Sequence, residues 1–464
     1  MTQRKMDHSQ QGSVLIALLV SAAVFSIIIY SLLAILAAQF EFPFRQIAGD
    51  QALYIAEAGV NYYRWHLTQN PNDFQDGTGG AGPYLHDYRD PEGNVVGQFS
   101  LEITPPGSGS SSVTINSTGW SSRFPAIKRN VRVTFGQASY ASFMYMGNTT
   151  IWFGPGVTIN GSVHANVGIR QDGINNGKVT AGQQTYTCGK ETGCDPSEEK
   201  PGVWGDGEDS SLWEYPVPVI DFNTISSDYG GMRDAAQTDG VYLPPSGYYG
   251  YNLIFNADGS VTIYKVTDAL GYEEWDIDEG CKNRVEKIQD QELVGTYAIS
   301  DTPIIFAEDT LWVRGTVKGK TTVVSARFPL DTYETNIWIP DNLVYSDKDG
   351  ADVLGLISQH DIYFARDIPE VFEVDAAMMA QKGHVIRHGF FWFCGQSSNA
   401  ERLSLTIFGA IISNREAYWN FGTQPESGFK ERTAVLNFDT QLLTDPPPYY
   451  PKVGGFNFTS WTQE

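Results

Sequence analysis

Positive charge is scarce in this chain. Thirty-one Lys and Arg stand against 54 Asp and Glu, a net charge of −23 over 464 residues. No basic patch gathers to offset phosphates, which argues against nucleic acid as a partner. No Gly-rich phosphate loop closing on Lys-Ser/Thr occurs either.

Histidine is rare, 7 in all. His384 and His388 are four apart in HVIRH, without the Glu that follows the first His of a zinc-protease helix. On a strand, residues four apart stand about 13 Å from each other, too far for one metal. Asp347-Lys348-Asp349-Gly350-Ala351-Asp352 resembles a calcium loop, yet it lacks the third acidic ligand and the closing Glu, so a solvated turn is favoured. No metal and no cofactor are expected. Lys348 reads as a surface residue whose loss changes nothing.

Cysteine is limited to Cys188, Cys194, Cys281 and Cys394, which allow three pairings. Cys188 and Cys194 sit in the short loop CGKETGC, spaced for a local disulfide in an oxidising compartment. Cys281 and Cys394 would then be the second pair, and free thiols are the alternative. Cys394 lies near His388, but no third group completes a nucleophile, and FFWFCG reads as packing or a disulfide partner. Glu370, Glu373 and Asp375 share one strand, with Glu373 and Asp375 on one face. Paired carboxylates are the chemistry of sugar cleavage, but nothing else converges there. The chain is not expected to be an enzyme.

What is present begins at the N-terminus. Ser13 to Ala38 is a run of 26 residues without charge or proline. As a helix it is about 39 Å long, enough to cross a bilayer. No A-x-A-like cleavage site follows, as a secretory signal would require. Instead the sequence continues as helix, with Phe44, Ile47, Ala48, Ile55, Ala58, Gly59, Tyr62 and Trp65 forming one apolar stripe. Pro43 should kink this helix and Asn70-Pro71-Asn72 should end it.

Next come three alternating segments, Gly97–Thr104, Val113–Gly119 and Lys128–Phe135, which read as an antiparallel meander covering the stripe. Residues 69–96 read as a connecting loop. After Tyr140 no helical period of useful length appears. Five hexads superimpose: GSVHAN from Gly161, TTVVSA from Thr321, LGLISQ from Leu354, AAMMAQ from Ala376 and GAIISN from Gly409. The last four start 33, 22 and 33 residues apart. A period near 22 with insertions suits the coil of a β-solenoid. Val163, Val323, Leu356, Met378 and Ile411 would then form one inward column, and Asn166, Gln359, Gln381 and Asn414 an amide ladder. Residues 196–290 fit the repeat poorly and read as an insertion. Within it, NLIFNADGSVTIYKV is a hairpin turning at Asp258-Gly259, and EEWDIDEGCKNRVEKIQDQE is a candidate short helix.

The apolar run that starts directly after Gly12, with DQALYIAEAG from Asp50, resembles the type IV filament family of pilins and pseudopilins. In particular it resembles minor pilins of the pilus-assembly type fused to a right-handed parallel β-helix. PPPYYP from Pro446 and Ser460-Trp461 resemble the closing segment of such proteins. The resemblance implies cleavage between Gly12 and Ser13 by a prepilin peptidase, with Arg4 and Lys5 of the leader on the inner side. It implies packing against other pilins through the helix, the cytoplasmic membrane before assembly, and an extracellular filament after it. Most members carry Glu at the fifth mature position. Here it is Ala17, which resembles tip or initiating subunits.

The expected class is therefore α+β: leader 1–12, helix 13–68 with 13–38 in the membrane, linker and small sheet 69–139, and a β-helix head 140–464. The head would prime assembly or adhere to a surface polysaccharide, a host or an abiotic surface. Two other readings remain: a membrane-anchored polysaccharide-binding or polysaccharide-cleaving β-helix protein, and a plain bitopic surface protein.

Overall fold

An uncharged apolar run has no competitor to helix for its backbone hydrogen bonds in lipid. In the computed structural model it is part of one helix, Gln10–Gln69, of 60 residues. The structure describes residues 10–70, 73–106, 112–222, 228–276, 279–395, 401–421, 427–431 and 434–463. The chain divides into two units, one of residues 1–105, 113–135 and 460–464, the other of 106–112 and 136–459.

In the first unit the helix runs through Pro43 without interruption and stops just before Asn70. Val14–Ile35 is long and apolar enough to cross a membrane, and none of it is buried within the chain. Its second half is covered by an antiparallel meander of Tyr84–Arg89, Val95–Thr104, Val113–Ser121 and Lys128–Ser139. The first of these strands lies where the sequence suggests only a loop. The turn of Asp90 to Asn94 reverses the chain and fixes its pairing, with the Asp90 carboxylate accepting from the Asn94 N–H at 2.8 Å.

The buried face of the helix is Ala48, Ala52, Ile55, Ala56, Val60, Tyr63 and Leu67. Of the expected stripe, Ala48, Ile55 and Gly59 are buried, whereas Phe44, Ile47 and Trp65 are exposed. Sheet and helix approach closely. A Cβ at Gly119 would sit 2.3 Å from the Ala56 nitrogen and 2.4 Å from the Ala52 carbonyl oxygen. Alanines therefore meet the sheet at this level, while further along Tyr63 is buried and Tyr62 packs on Phe99. Residues 460–464 also belong to this unit, and the Thr462 hydroxyl donates to the Arg132 carbonyl at 3.3 Å.

The second unit is a parallel β-helix with three walls. In the first wall the inward column runs Val241, Ile305, Val323, Leu356, Met378, Ile411, Tyr145, Val163 and Val179, each paired in register with the next. All nine are buried. The five hexads thus stack as their spacing predicts, but not consecutively, because Tyr145 stands between Ile411 and Val163. The chain enters the solenoid in its middle and coils outward to Trp213, paired beyond Val179. It then restarts at the opposite end with Val241–Leu243 and coils back until Ser404–Ser413 pairs with Tyr145–Gly147. A second wall crosses the same seam through Ile407, Leu436, Ile159 and Asn175. The third wall is Leu311, Ile337, Ile362 and Val385. It reaches Tyr418 by an isolated bridge from Ile386 and resumes as the separate sheet of Ile151, Ile169 and Val203.

The hexads are apolar on both faces because both are covered. Outward-facing Phe306, Val324, Ile357, Met379, Ile412 and Met146 form a second core with Tyr140, Phe222, Leu442, Tyr450 and a helix, Tyr229–Asp239. That 11-residue helix corrects the reading that none follows Tyr140. Its buried side chains are Tyr229, Met232 and Ala236.

The reading of 196–290 as an insertion also needs correction. Val203–Trp204, Trp213–Glu214, Val241–Leu243 and Gly250–Asn256 are rungs of the solenoid. The true excursion is the hairpin Ser260–Asp276 with Gly280–Ala298, the second strand occupying the stretch expected to be a short helix. Its largely polar residues are satisfied by pairing along a two-stranded ribbon, with Glu286 the buried position on the second strand. The turn at Asp258-Gly259 forms as expected, Gly259 having a φ of +87°.

Amides line the corner in part. Asn166 donates to Asn148 at 2.8 Å, and Asn148 to Asn414 at 3.0 Å. Gln359 is turned instead to the loop after Ala326, accepting from the Arg327 N–H at 2.9 Å, and Gln381 joins only through its backbone carbonyl. A second ladder runs from Asn176 to Asn160 to Asn437.

Candidate functional site

The long hairpin brings residues distant in sequence onto the third wall. Its strand end docks at Gly389, where Trp275 and Gly389 exchange backbone hydrogen bonds of 2.7 and 3.0 Å. Cys281 and Cys394 form a disulfide beside it, with Cα atoms 5.4 Å apart. Trp275, Phe391 and Phe421 pack edge to face there, centroids 5.4 to 5.8 Å apart.

Beneath this contact lies a buried polar chain. The two nitrogens of His388 face Glu274 at 3.0 Å and Asp276 at 3.1 Å. Arg284 meets Asp276 at 3.0 Å and the Tyr363 hydroxyl at 3.3 Å. Tyr363 in turn donates to Asp361 at 2.6 Å, and the His384 N–H donates to Asp361 at 2.6 Å. His388 is 1% exposed. Burial opposes its charge, but the Glu274 carboxylate and hydrogen bonds to Asp276 and Glu274 outweigh burial, and the imidazole is raised to about 9. A charged imidazolium hydrogen-bonds Asp276 and stands as the counter-ion of Glu274, whose oxygens are buried beside it. Glu286 sits on the same hairpin, accepts from the Arg366 N–H at 3.0 Å, and is pushed up to about 8 by burial and then by Glu274. The chemistry of the cluster is to fasten the hairpin to the solenoid.

The residues singled out by sequence are scattered. Gly12 and Ser13 lie in the first turns of the long helix, and Ala17 is exposed beyond them. Residues 1–9 of the leader, with Arg4 and Lys5, are outside the described residues. Cys188 and Cys194 form a disulfide, Cα atoms 5.6 Å apart, so Cys394 and its fellows offer no free thiol. His384 and His388 part company: His384 Nδ1 bonds the Glu416 carbonyl at 2.6 Å. Among the described residues no three His, Cys, Asp or Glu side chains are placed to hold a metal. The Asp347–Asp352 segment is a turn closed by Asp352, which accepts from the N–H groups of Gly319 and Asp347 at 2.7 Å each.

Lys348 is not the idle surface residue that its sequence context suggests. Its ammonium bridges Glu373 at 2.6 Å and Asp375 at 2.9 Å, and Asp375 is fully buried. The two carboxylates do share a face, but Lys348 and the Tyr345 N–H at 2.9 Å occupy them. Glu370 is elsewhere, 3.3 Å from Arg402. Sequence inspection missed the Glu274–His388–Asp276 cluster altogether. The sequence does show a run of acids in EEWDIDEG, followed by Lys282 and Arg284, but nothing in it points to His388.

No protein-family model matches the chain, and no curated protein sequence matches it. Among solved structures it is similar to the competence-associated pilin ComZ from Thermus thermophilus. The TM-score is 0.32 and the sequence identity 16%, over 90% of this chain and 97% of that one.

Proposed function

We propose that this chain is a minor subunit of a type IV filament or a related secretion pseudopilus. The observation that carries the reading is the uninterrupted helix with two unlike halves. Val14–Ile35 has no cover within the chain, and at about 1.5 Å per residue it matches the bilayer core. The half from Ala48 to Leu67 is sealed by the meander. A bare apolar half-helix is stable in lipid, or packed against like helices in a filament core. The helix therefore holds the subunit in the cytoplasmic membrane before assembly and joins other pilins afterwards, while the β-helix is displayed outside as an adhesive or assembly-priming head. Ala17, in place of the family's glutamate, supports a position at the tip, where no subunit lies above. The head acts by binding rather than catalysis, consistent with Glu373 and Asp375 being tied to Lys348.

The test is the mature N-terminus. Filament-associated protein should begin at Ser13, and Gly12→Val should leave the precursor uncut in the membrane. Recovery of Met1 from assembled filaments would overturn the proposal.

A further inference from the structure

Where the third wall breaks at the seam, a cavity of about 430 Å³ opens. Trp152, Tyr418, Trp419 and Phe421 line it, together with Glu191 and Glu416. The break has a topological cause. The first two walls pass the seam by direct pairing, Ile411 to Tyr145 and Leu436 to Ile159. In the third, Ala417 to Asn420 leaves the ladder after the bridge at Tyr418, and the space it vacates is walled by aromatic side chains.

The electrostatics of this space are one-sided. Among the described residues that line it, none is basic. The nearby cation, Arg170, is engaged by Asp172 at 2.8 Å and the Thr192 carbonyl at 3.0 Å, and lies on the Trp152 ring, 4.3 Å from its centroid. Glu191 is held at the rim by the loop that the Cys188–Cys194 disulfide closes. Glu416 is pushed up to about 8, by burial and then by the charge of Glu191. Burial and the Glu191 charge thus oppose ionisation of Glu416, and a cation placed between the two acids offsets both and favours the carboxylate. A hard metal ion would need six or more oxygen ligands, which an aromatic wall does not offer. A neutral sugar would supply no such compensation. Aromatic faces do attract alkylammonium groups, whose charge is spread over methyl or methylene hydrogens. The volume falls within the roughly 300–1,000 Å³ of small-molecule sites.

We propose that the seam cavity binds an organic ammonium cation, its charge held between Glu191 and Glu416 and its alkyl shell against Trp152 and Trp419. The inference goes beyond the filament reading by naming a ligand class for the head, and it does not depend on how the N-terminus is processed.

Titration calorimetry on the full chain in an uncharged detergent tests it, with choline as the probe. Choline should bind, and its uncharged isostere 3,3-dimethylbutan-1-ol should bind at least about ten-fold more weakly. Glu416→Gln and Trp419→Leu should each weaken choline by about ten-fold or more, while Glu92→Gln in the other unit leaves it unchanged. Equal affinity for choline and its isostere would overturn the proposal, as would glucose or calcium binding in place of choline. So would heatless choline titrations of the folded wild-type chain, a result that holds even if a variant misfolds.

Discussion

Raising the pH should loosen the hairpin from the solenoid through His388. Its imidazole is held at about 9 in the folded protein against 6.5 for a free side chain. A base whose folded value is raised contributes stability that is complete below the unfolded value and is lost as pH climbs through the folded one. The window is therefore pH 6.5 to about 9. At about 1.4 kcal/mol for each tenfold gain in proton affinity, the contribution is on the order of 3 kcal/mol. Glu286 and Glu416, each raised to about 8, lose stability in the same direction but from lower pH, starting near the usual carboxylate value. The His388 share must therefore be read as a difference. Urea unfolding of wild type and His388→Gln, followed by tryptophan fluorescence from about pH 6 to pH 10 with both disulfides intact, supplies it. Gln keeps a donor but no charge, so the variant should be weaker at pH 6, with the gap closing by about 3 kcal/mol as pH passes 9. Parallel profiles would refute the reasoning. So would an imidazole resonance for His388 titrating near 6.5 in the folded chain.

Three further outcomes follow from packing and pairing. Lys348→Ala should destabilise the head by about 1–3 kcal/mol in thermal or urea unfolding, because buried Asp375 loses its cation; Lys348→Ala with Asp375→Asn should recover part of the loss. Ile411→Ala removes the contact between Met378 and Tyr145 at the seam and should cost about 2–5 kcal/mol, against less than about 0.5 for exposed Lys318→Ala. Gly119→Ala should cost about 1–3 kcal/mol in the N-terminal unit, measured by loss of amide protection at Ala52 and Ala56, since helix backbone stands where the methyl would go.

The features legible in the sequence are those carried by a local period. Twenty-six residues without charge specify a helix in a bilayer, because there a lone segment satisfies its backbone only as helix. Alternation marks Val113–Ser121 as a half-buried strand, and its side chains are buried at every second position. The hexads identify inward positions because equivalent residues of successive coils meet the same environment, and Val323, Leu356, Met378 and Ile411 do follow one another.

What the tertiary structure decided is everything that depends on which edges meet. A strand edge offers N–H and C=O groups to any partner in register, so sequence order does not dictate stacking order. The rung at Tyr145 closes on Ser404–Ser413, over 250 positions later, because each was the other's free edge. The same holds for polar partners. Lys348 looks like an exposed residue until the fold places Asp375 beneath it, and His388 looks idle until the hairpin delivers Glu274 and Asp276. The close approach of helix and sheet depends on Gly119, whose missing side chain leaves room for the backbone of Ala52 and Ala56. Local patterning tells each residue which way to face. Only the assembled walls determine what it finds there, because long-range pairing and the burial of charge are properties of two segments at once.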